Sequence, residues 1–206
     1  MKNTLLLTIC AVALLTACAT VDPVTAPPID APPPPPPGIT PPPAVEVPPV
    51  SADDATAYLN RGLAFLRENR FDDAVRELSR ALALDSELAD AYYNRGLAFF
   101  HNGDPELAIE DFTSAIRLRP DFAGAFNDRG FVLRQMGNLD QAIEDYSTAI
   151  RLRPDFVEAL YNRGYAYFIR SDRDRTIVDW EAVLRIDPNH ISARRNLEMV
   201  RQLQRR

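Results

Sequence analysis

The sequence predicts an all-α fold built as an α-solenoid: four helical hairpins stacked in register, closed by a C-terminal capping helix. Three observations predict it. A tripeptide of Asn or Asp, Arg and Gly recurs at Asn60-Arg61-Gly62, Asn94-Arg95-Gly96, Asp128-Arg129-Gly130 and Asn162-Arg163-Gly164, each step being 34 residues. A fixed period of that size marks one supersecondary unit repeated along an axis, each copy burying its apolar face against the next. Every unit carries two amphipathic helical patterns separated by turn residues. Prolines close the second pattern at Pro120, Pro154 and Pro188, with Ser86 at the matching place in the first unit.

Aligned on the glycines, the units are 55–88, 89–122, 123–156 and 157–190, within a repeat domain of 53–190. In each first helix an aromatic or leucine stands four residues before the glycine (Tyr58, Tyr92, Phe126, Leu160). Another follows three after it (Phe65, Phe99, Leu133, Tyr167). These spacings put the pair on one stripe with the glycine between them, where the missing side chain lets the second helix come close. Asn102-Gly103-Asp104-Pro105 reads as a helix end, an Asp cap and a proline at the first helical position. Gly137-Asn138 reads the same way, and Asn138 to Gln141 resembles a capping box.

The second helices alternate small, large, small: Ala74, Leu78, Ala81; Ala108, Phe112, Ala115; Ala142, Tyr146, Ala149. The fourth unit departs, with Thr176, Trp180 and Val183. Residues 191–206 form one more helical pattern with Ile191, Leu197, Val200 and Leu203 apolar, predicted to cap the stack. Five arginines against Glu198 make it basic, which reads as a contact to anionic lipid or glycan, or as helix-dipole electrostatics on a solvated face.

Aromatic, Gly, aromatic, Ala, aromatic, Ala and Pro at matching places of a 34-residue unit resemble the tetratricopeptide repeat (TPR). The resemblance covers 55–190. The leucine usual before the glycine is replaced by Arg61, Arg95, Arg129 and Arg163. Each has an acid sixteen residues later: Glu77, Asp111, Asp145 and Asp179. In an antiparallel hairpin these face one another, as structural ion pairs rather than partner contacts.

The resemblance implies that the first helices line a concave groove, through positions three before, one after and four after the glycine. Here these are Leu59, Leu63 and Leu66; Tyr93, Leu97 and Phe100; Asn127, Phe131 and Arg134; and Tyr161, Tyr165 and Phe168. A face that met only water would be polar. This one is mainly apolar and aromatic, which suggests a seat for a hydrophobic peptide or helix; packing between neighbouring repeats is the other use for the same side chains. Asn60, Asn94 and Asn162 resemble groove asparagines that bond a bound peptide's backbone, while Asp128 breaks the set and would repel an acidic one. The TPR subtype that grips a C-terminal carboxylate needs lysine, and this chain has none after Lys2.

The N-terminus reads as targeting. Lys2 precedes an apolar run, Leu5 to Leu15, too short to span a bilayer. It ends in Leu15-Thr16-Ala17-Cys18, which resembles the lipobox of bacterial lipoproteins. That implies removal of a signal peptide, 1–17, and acylation of Cys18, with palmitate among the chains, giving a membrane anchor. Ala17-Cys18-Ala19 also fits ordinary secretory cleavage, leaving a soluble periplasmic protein as the alternative. Ala19, where an Asp would retain an inner-membrane lipoprotein, points to the outer membrane, facing the periplasm. Residues 18–52 then form a lipidated N-terminus and a proline-rich linker, with Pro32 to Pro37 unbroken. Proline excludes helix and sheet; such a segment extends at about 3.1 Å per residue, as a stalk, a tether or a docking site for a proline-recognising groove.

Composition narrows the function. A net charge of −6 with no basic stripe excludes nucleic acid as a partner. Both cysteines, Cys10 and Cys18, precede the repeats, so no thiol, disulfide or Cys-based metal site falls in the folded part. No HExxH, GxSxG or phosphate-binding loop occurs, and His101 and His190 are far apart. The expectation is a non-enzymatic scaffold, without metal or cofactor, that holds a protein or peptide. Cell-wall hydrolase recruitment or outer-membrane assembly are roles by analogy. A pilus or secretion-system assembly factor and a peptidoglycan-binding module are the alternatives. Self-association through the array ends stays open.

Overall fold

A computed structural model describes residues 52–205. The signal segment, Cys18 and the proline-rich run lie outside the described residues. Among the described residues nine helices follow in order: α1 (Ala52–Arg67), α2 (Phe71–Leu84), α3 (Ala89–Asn102), α4 (Pro105–Leu118), α5 (Ala123–Gln135), α6 (Leu139–Leu152), α7 (Val157–Ile169), α8 (Arg173–Ile186) and α9 (Ile191–Gln204). No strand occurs among the described residues. Each helix packs on the next in sequence; α1 also meets α3, and α5 meets α7, so the odd helices share one side of the stack. α1 begins three residues ahead of the first repeat boundary at Ala55.

Close packing within each hairpin follows from the glycine. A Cβ on Gly62 would stand 2.5 Å from the Leu78 side chain, and one on Gly164 2.7 Å from the Trp180 indole nitrogen. The alanines flanking each large residue let the next repeat close from the other side. All of Ala74, Ala81, Ala108, Ala115, Ala142 and Ala149 are fully buried, as are Leu78, Phe112 and Tyr146 between them, and Trp180 between Thr176 and Val183. In the fourth unit Thr176 turns its hydroxyl onto the Asp172 carbonyl, 2.7 Å away, so the polar atom is satisfied. The core runs as a series of clusters along the stack, as expected where each repeat touches only its neighbours.

The hairpin turns repeat with the same period. Asn69, Gly103, Gly137 and Ser171 all adopt positive φ, at 56°, 90°, 85° and 62°. The inner two units use glycine, which takes this conformation freely; the outer two do not. Capping differs from the sequence-based expectation. Asp104 and Asn138 are N-cap residues, yet neither side chain accepts a backbone N–H, so the capping box is not formed. Asp172 and His190 do cap, accepting from the amides of Arg175 and Ala193. Their ψ values, 81° and 94°, are closer to the extended backbone that aims a cap side chain into the first turn. Those of Asp104 and Asn138 are 68° and 63°.

The arginines in place of leucine form a ladder along the stack. Arg95 grips Asp111 with two bonds, Nε to Oδ2 at 2.7 Å and Nη2 to Oδ1 at 2.8 Å. Arg129 and Asp145, and Arg163 and Asp179, repeat the arrangement. The remaining Nη1 reaches back to a hydroxyl of the preceding repeat: Arg95 to Ser79, Arg129 to Thr113 and Arg163 to Ser147, each at 3.0 Å. Each arginine therefore ties its own hairpin together and fastens it to the one before. Arg61 has no preceding repeat; its side chain is 54% exposed against 20–21% for the others, and its contact to Glu77 is a single 3.4 Å approach.

Candidate functional site

The odd helices present the expected groove positions on their shared side. Two open cavities adjoin there. One, of about 420 Å³, lies between α1, the α1–α2 turn and α3, lined by Leu63, Leu66, Arg67, Asn69, Phe71, Asn94, Leu97 and His101. The other, of about 260 Å³, lies between α3, α5 and α7, with Phe112 of α4 behind it. It is lined by Leu97, Phe100, His101, Asn127, Asp128, Phe131, Val132, Glu158 and Asn162. Leu97 and His101 belong to both, so the cavities join into one groove across the repeats. His101 is exposed in the last turn of α3 and stacks on Phe71 at 4.7 Å. Phe100 meets Phe131 edge-on at 5.7 Å. Beyond them the Arg134 guanidinium lies 5.0 Å from both the Phe131 and Tyr165 rings, and Tyr165 leads on to Phe168 at 6.3 Å.

The side chains named from sequence divide by what they touch. Leu63, Leu66, Leu97, Phe100 and Phe131 line the groove while only partly buried. Leu59 packs into the first core cluster and Phe168 against Trp180. Asn60 is exposed, and Asn94 bonds the Asp90 carbonyl in its own helix.

Four others join a second ladder, unrecognised from sequence, that links the residue three before one glycine to the residue two before the next. Tyr93 donates its hydroxyl to Asp128 Oδ2 at 2.7 Å. Asn162 donates to Asn127 Oδ1 at 3.2 Å, and Asn196 of α9 donates to the Tyr161 hydroxyl at 3.0 Å. Asn127 also donates to Asp128 Oδ1 at 2.9 Å. The signal was a spacing of 35, one more than the period, which pairs different residue types and so hides from a search for identical ones. Tyr161 is held further by stacking on His190, at 5.0 Å, and on Trp180.

Asp128 is the charged member of this ladder. Burial raises its pKa above the ordinary carboxylate value, against the hydrogen bonds from Tyr93 and Asn127, which lower it. Burial likewise raises the Tyr93 phenol, with the Asp128 charge adding to it. On the other side of the hairpins the Asp111 carboxylate raises the Arg95 guanidinium, and Asp179 does the same for Arg163. Among the described residues no group of three or more His, Cys, Asp or Glu side chains could hold a metal ion.

A helical-hairpin array with an apolar groove along its inner helices defines a repeat protein of the interaction type. Family models agree. One described as "Tetratricopeptide repeat" matches residues 52–121, and one described as "TPR repeat" matches 132–169, together just over half the chain. The chain belongs to the tetratricopeptide-repeat family. Among solved structures it is similar to MamA, at 29% identity over 68% of this chain and 81% of that one, with a TM-score of 0.64. YrrB, titled a TPR protein with an unusual peptide-binding site, matches at 24% identity over 72% and 76%, with a TM-score of 0.64. The pilF protein of Pseudomonas aeruginosa matches at 24% over 75% and 71%, with a TM-score of 0.68. No curated protein sequence matches.

Proposed function

We propose that this protein is a non-enzymatic scaffold that holds a partner polypeptide along the groove of its odd helices. The observation that carries this reading is the continuity of the two cavities through Leu97 and His101, with Phe100 and Phe131 left only partly buried beside them. A stack that needed these rings only for its own packing would close over them, since leaving aromatic surface in water forgoes about 25 cal/mol per Å². The peptide-binding site named for YrrB is in keeping with this use of the fold.

The same proposal places the scaffold in the bacterial envelope, as a lipoprotein of the outer membrane facing the periplasm. Leu15-Thr16-Ala17-Cys18 with Ala19 supports that placement, and the proline-rich stretch would set the array's distance from the bilayer. No helix among the described residues is long and apolar enough to cross a membrane; Cys18 is the attachment point in this reading. Recruiting a cell-wall hydrolase, or assisting outer-membrane assembly, is the role such a tethered groove would serve.

A photo-crosslinking amino acid at Leu97, with a control at the exposed Glu110 of α4, tests the groove in intact cells. One discrete adduct from position 97 and none from 110 is the expected outcome. Equal adducts from both, or none from 97, removes the groove as the binding surface. Separately, Cys18→Ser should abolish labelling by a palmitate analogue and release the protein from the membrane fraction; labelling that persists overturns the anchor.

A further inference from the structure

The half-buried charge of Asp128 is more than the fold needs. Its two hydrogen bonds belong to the ladder that joins successive repeats, and the last rung shows how a neutral residue does the same work. There Asn196 stands at the position of Asp128, and its amide donates to the hydroxyl of Tyr161, the counterpart of Tyr93. A tyrosine hydroxyl both donates and accepts, so an asparagine at 128 would keep the rung with the bond reversed. Its carbonyl would still accept from Asn127. The carboxylate instead brings a negative charge into a site where burial works against it.

No ion pair answers that charge among the described residues. Asp111, Asp145 and Asp179 each have a bidentate arginine; no Arg or His nitrogen among the described residues forms an ion pair with Asp128 or with Glu158 across the same cavity. The rest of the lining is Leu97, Phe100, Phe131 and Val132, with Asn127, Asn162 and the exposed His101 as its polar members. Two carboxylates and two aromatic rings lining one cavity form a site for an alkylammonium or guanidinium group. The rings cover the aliphatic stem and add cation–π attraction, and the acids meet the head. The volume of about 260 Å³ suits one long side chain.

We infer that the cavity between α3, α5 and α7 receives a lysine or arginine side chain of the bound polypeptide, with Asp128 and Glu158 as its counter-charges. This rests on the groove being the binding surface, and adds the chemistry of what it selects. The occupant comes from another protein. The stretch from Ala19 to Val50 contains no lysine or arginine at all.

The test uses a displayed library of random dodecapeptides selected on the full chain, followed by fluorescence-polarisation titration of the enriched peptides. Wild type, Asp128→Asn and Phe131→Ala are compared, each first checked for an unchanged helical circular-dichroism spectrum. Enriched peptides should carry a Lys or Arg. Replacing it with Gln and making Asp128→Asn should each weaken binding by about tenfold, and the two together by little more than either. Peptides that lose affinity with Phe131→Ala but are indifferent to Asp128→Asn and to their own cation overturn the inference and leave the groove in place. Peptides indifferent to Phe131→Ala as well overturn both. Self-association of the wild-type chain that Asp128→Asn abolishes would name a second copy as the occupant, and overturns the assignment to a foreign partner.

Discussion

Arg129 has about a fifth of its side chain in water, and Asp145 beneath it almost none. The pair is therefore of the buried kind, where removing one partner strands a charge. Arg129→Ala should cost about 3–5 kcal/mol in urea denaturation, and Arg129→Lys should recover only part, since an ammonium cannot make the two parallel bonds and the third to Thr113. Arg61→Ala should cost under about 1 kcal/mol, because its pair with Glu77 is long and its side chain mostly solvated. Asp128 behaves in the opposite sense. Its folded-state pKa is raised, so the folded chain holds that proton more tightly than the unfolded chain does. Its stabilising contribution is present below the ordinary carboxylate range and is lost as pH rises through the folded-state value. Asp128→Asn should accordingly raise Tm at neutral pH, and the gap between variant and parent should close as the pH is taken down to about 3. A lower Tm for the variant at neutral pH would show that the ladder needs the charge after all.

In the helices and their turns, two substitutions separate packing from propensity. Alanine is the better helix former by about 1 kcal/mol, yet Gly164→Ala in α7 drives a methyl group to 2.7 Å from the Trp180 indole. The wedge should win, with a net loss of about 1–3 kcal/mol in thermal or urea unfolding. Ser171 sits at φ 62° in the turn between α7 and α8, where two sister repeats have glycine. Ser171→Gly relieves a left-handed serine and should stabilise by on the order of 1 kcal/mol, without moving any groove residue. A destabilised Ser171→Gly would mean that the serine side chain holds the turn.

Along the whole array, stability is a sum of neighbouring interfaces rather than the property of one core. α9 closes the open end: Ala193, Leu197 and Val200 are buried with Trp180 and Val183 in the last cluster, and Asn196 supplies the final rung. Deleting residues 191–206 should lower unfolding stability by at least about 3 kcal/mol, from two large aliphatic side chains lost and the indole uncovered. By hydrogen exchange the loss of protection should be concentrated in α7 and α8 and fade toward α1. Uniform loss across all helices would mean the stack unfolds as a single unit.

The period, the hairpins, the alternation of small and large residues and the arginine–acid pairing could all be read from the chain, because each is a local or fixed-interval relation. The glycine contacts of Gly62 and Gly164 and the grip of Arg95 on Asp111 follow directly from that reading. Three things needed the fold. Whether Asp104 and Asn138 cap their helices depended on a difference in ψ of 13–31° that residue identity does not set. Which inner-face side chains tie repeats together and which stay open depended on contacts between different positions of adjacent units: Tyr93 and Tyr161 bond across to the next repeat, while Phe100 and Phe131 remain at the groove. That Asp128 accepts from Tyr93 and Asn127 but has no ion-pair partner among the described residues emerged only when α3, α5 and α7 stood side by side. Periodicity specifies what each unit is; how neighbouring units meet is fixed by side-chain geometry across their interface, and the binding surface is made there.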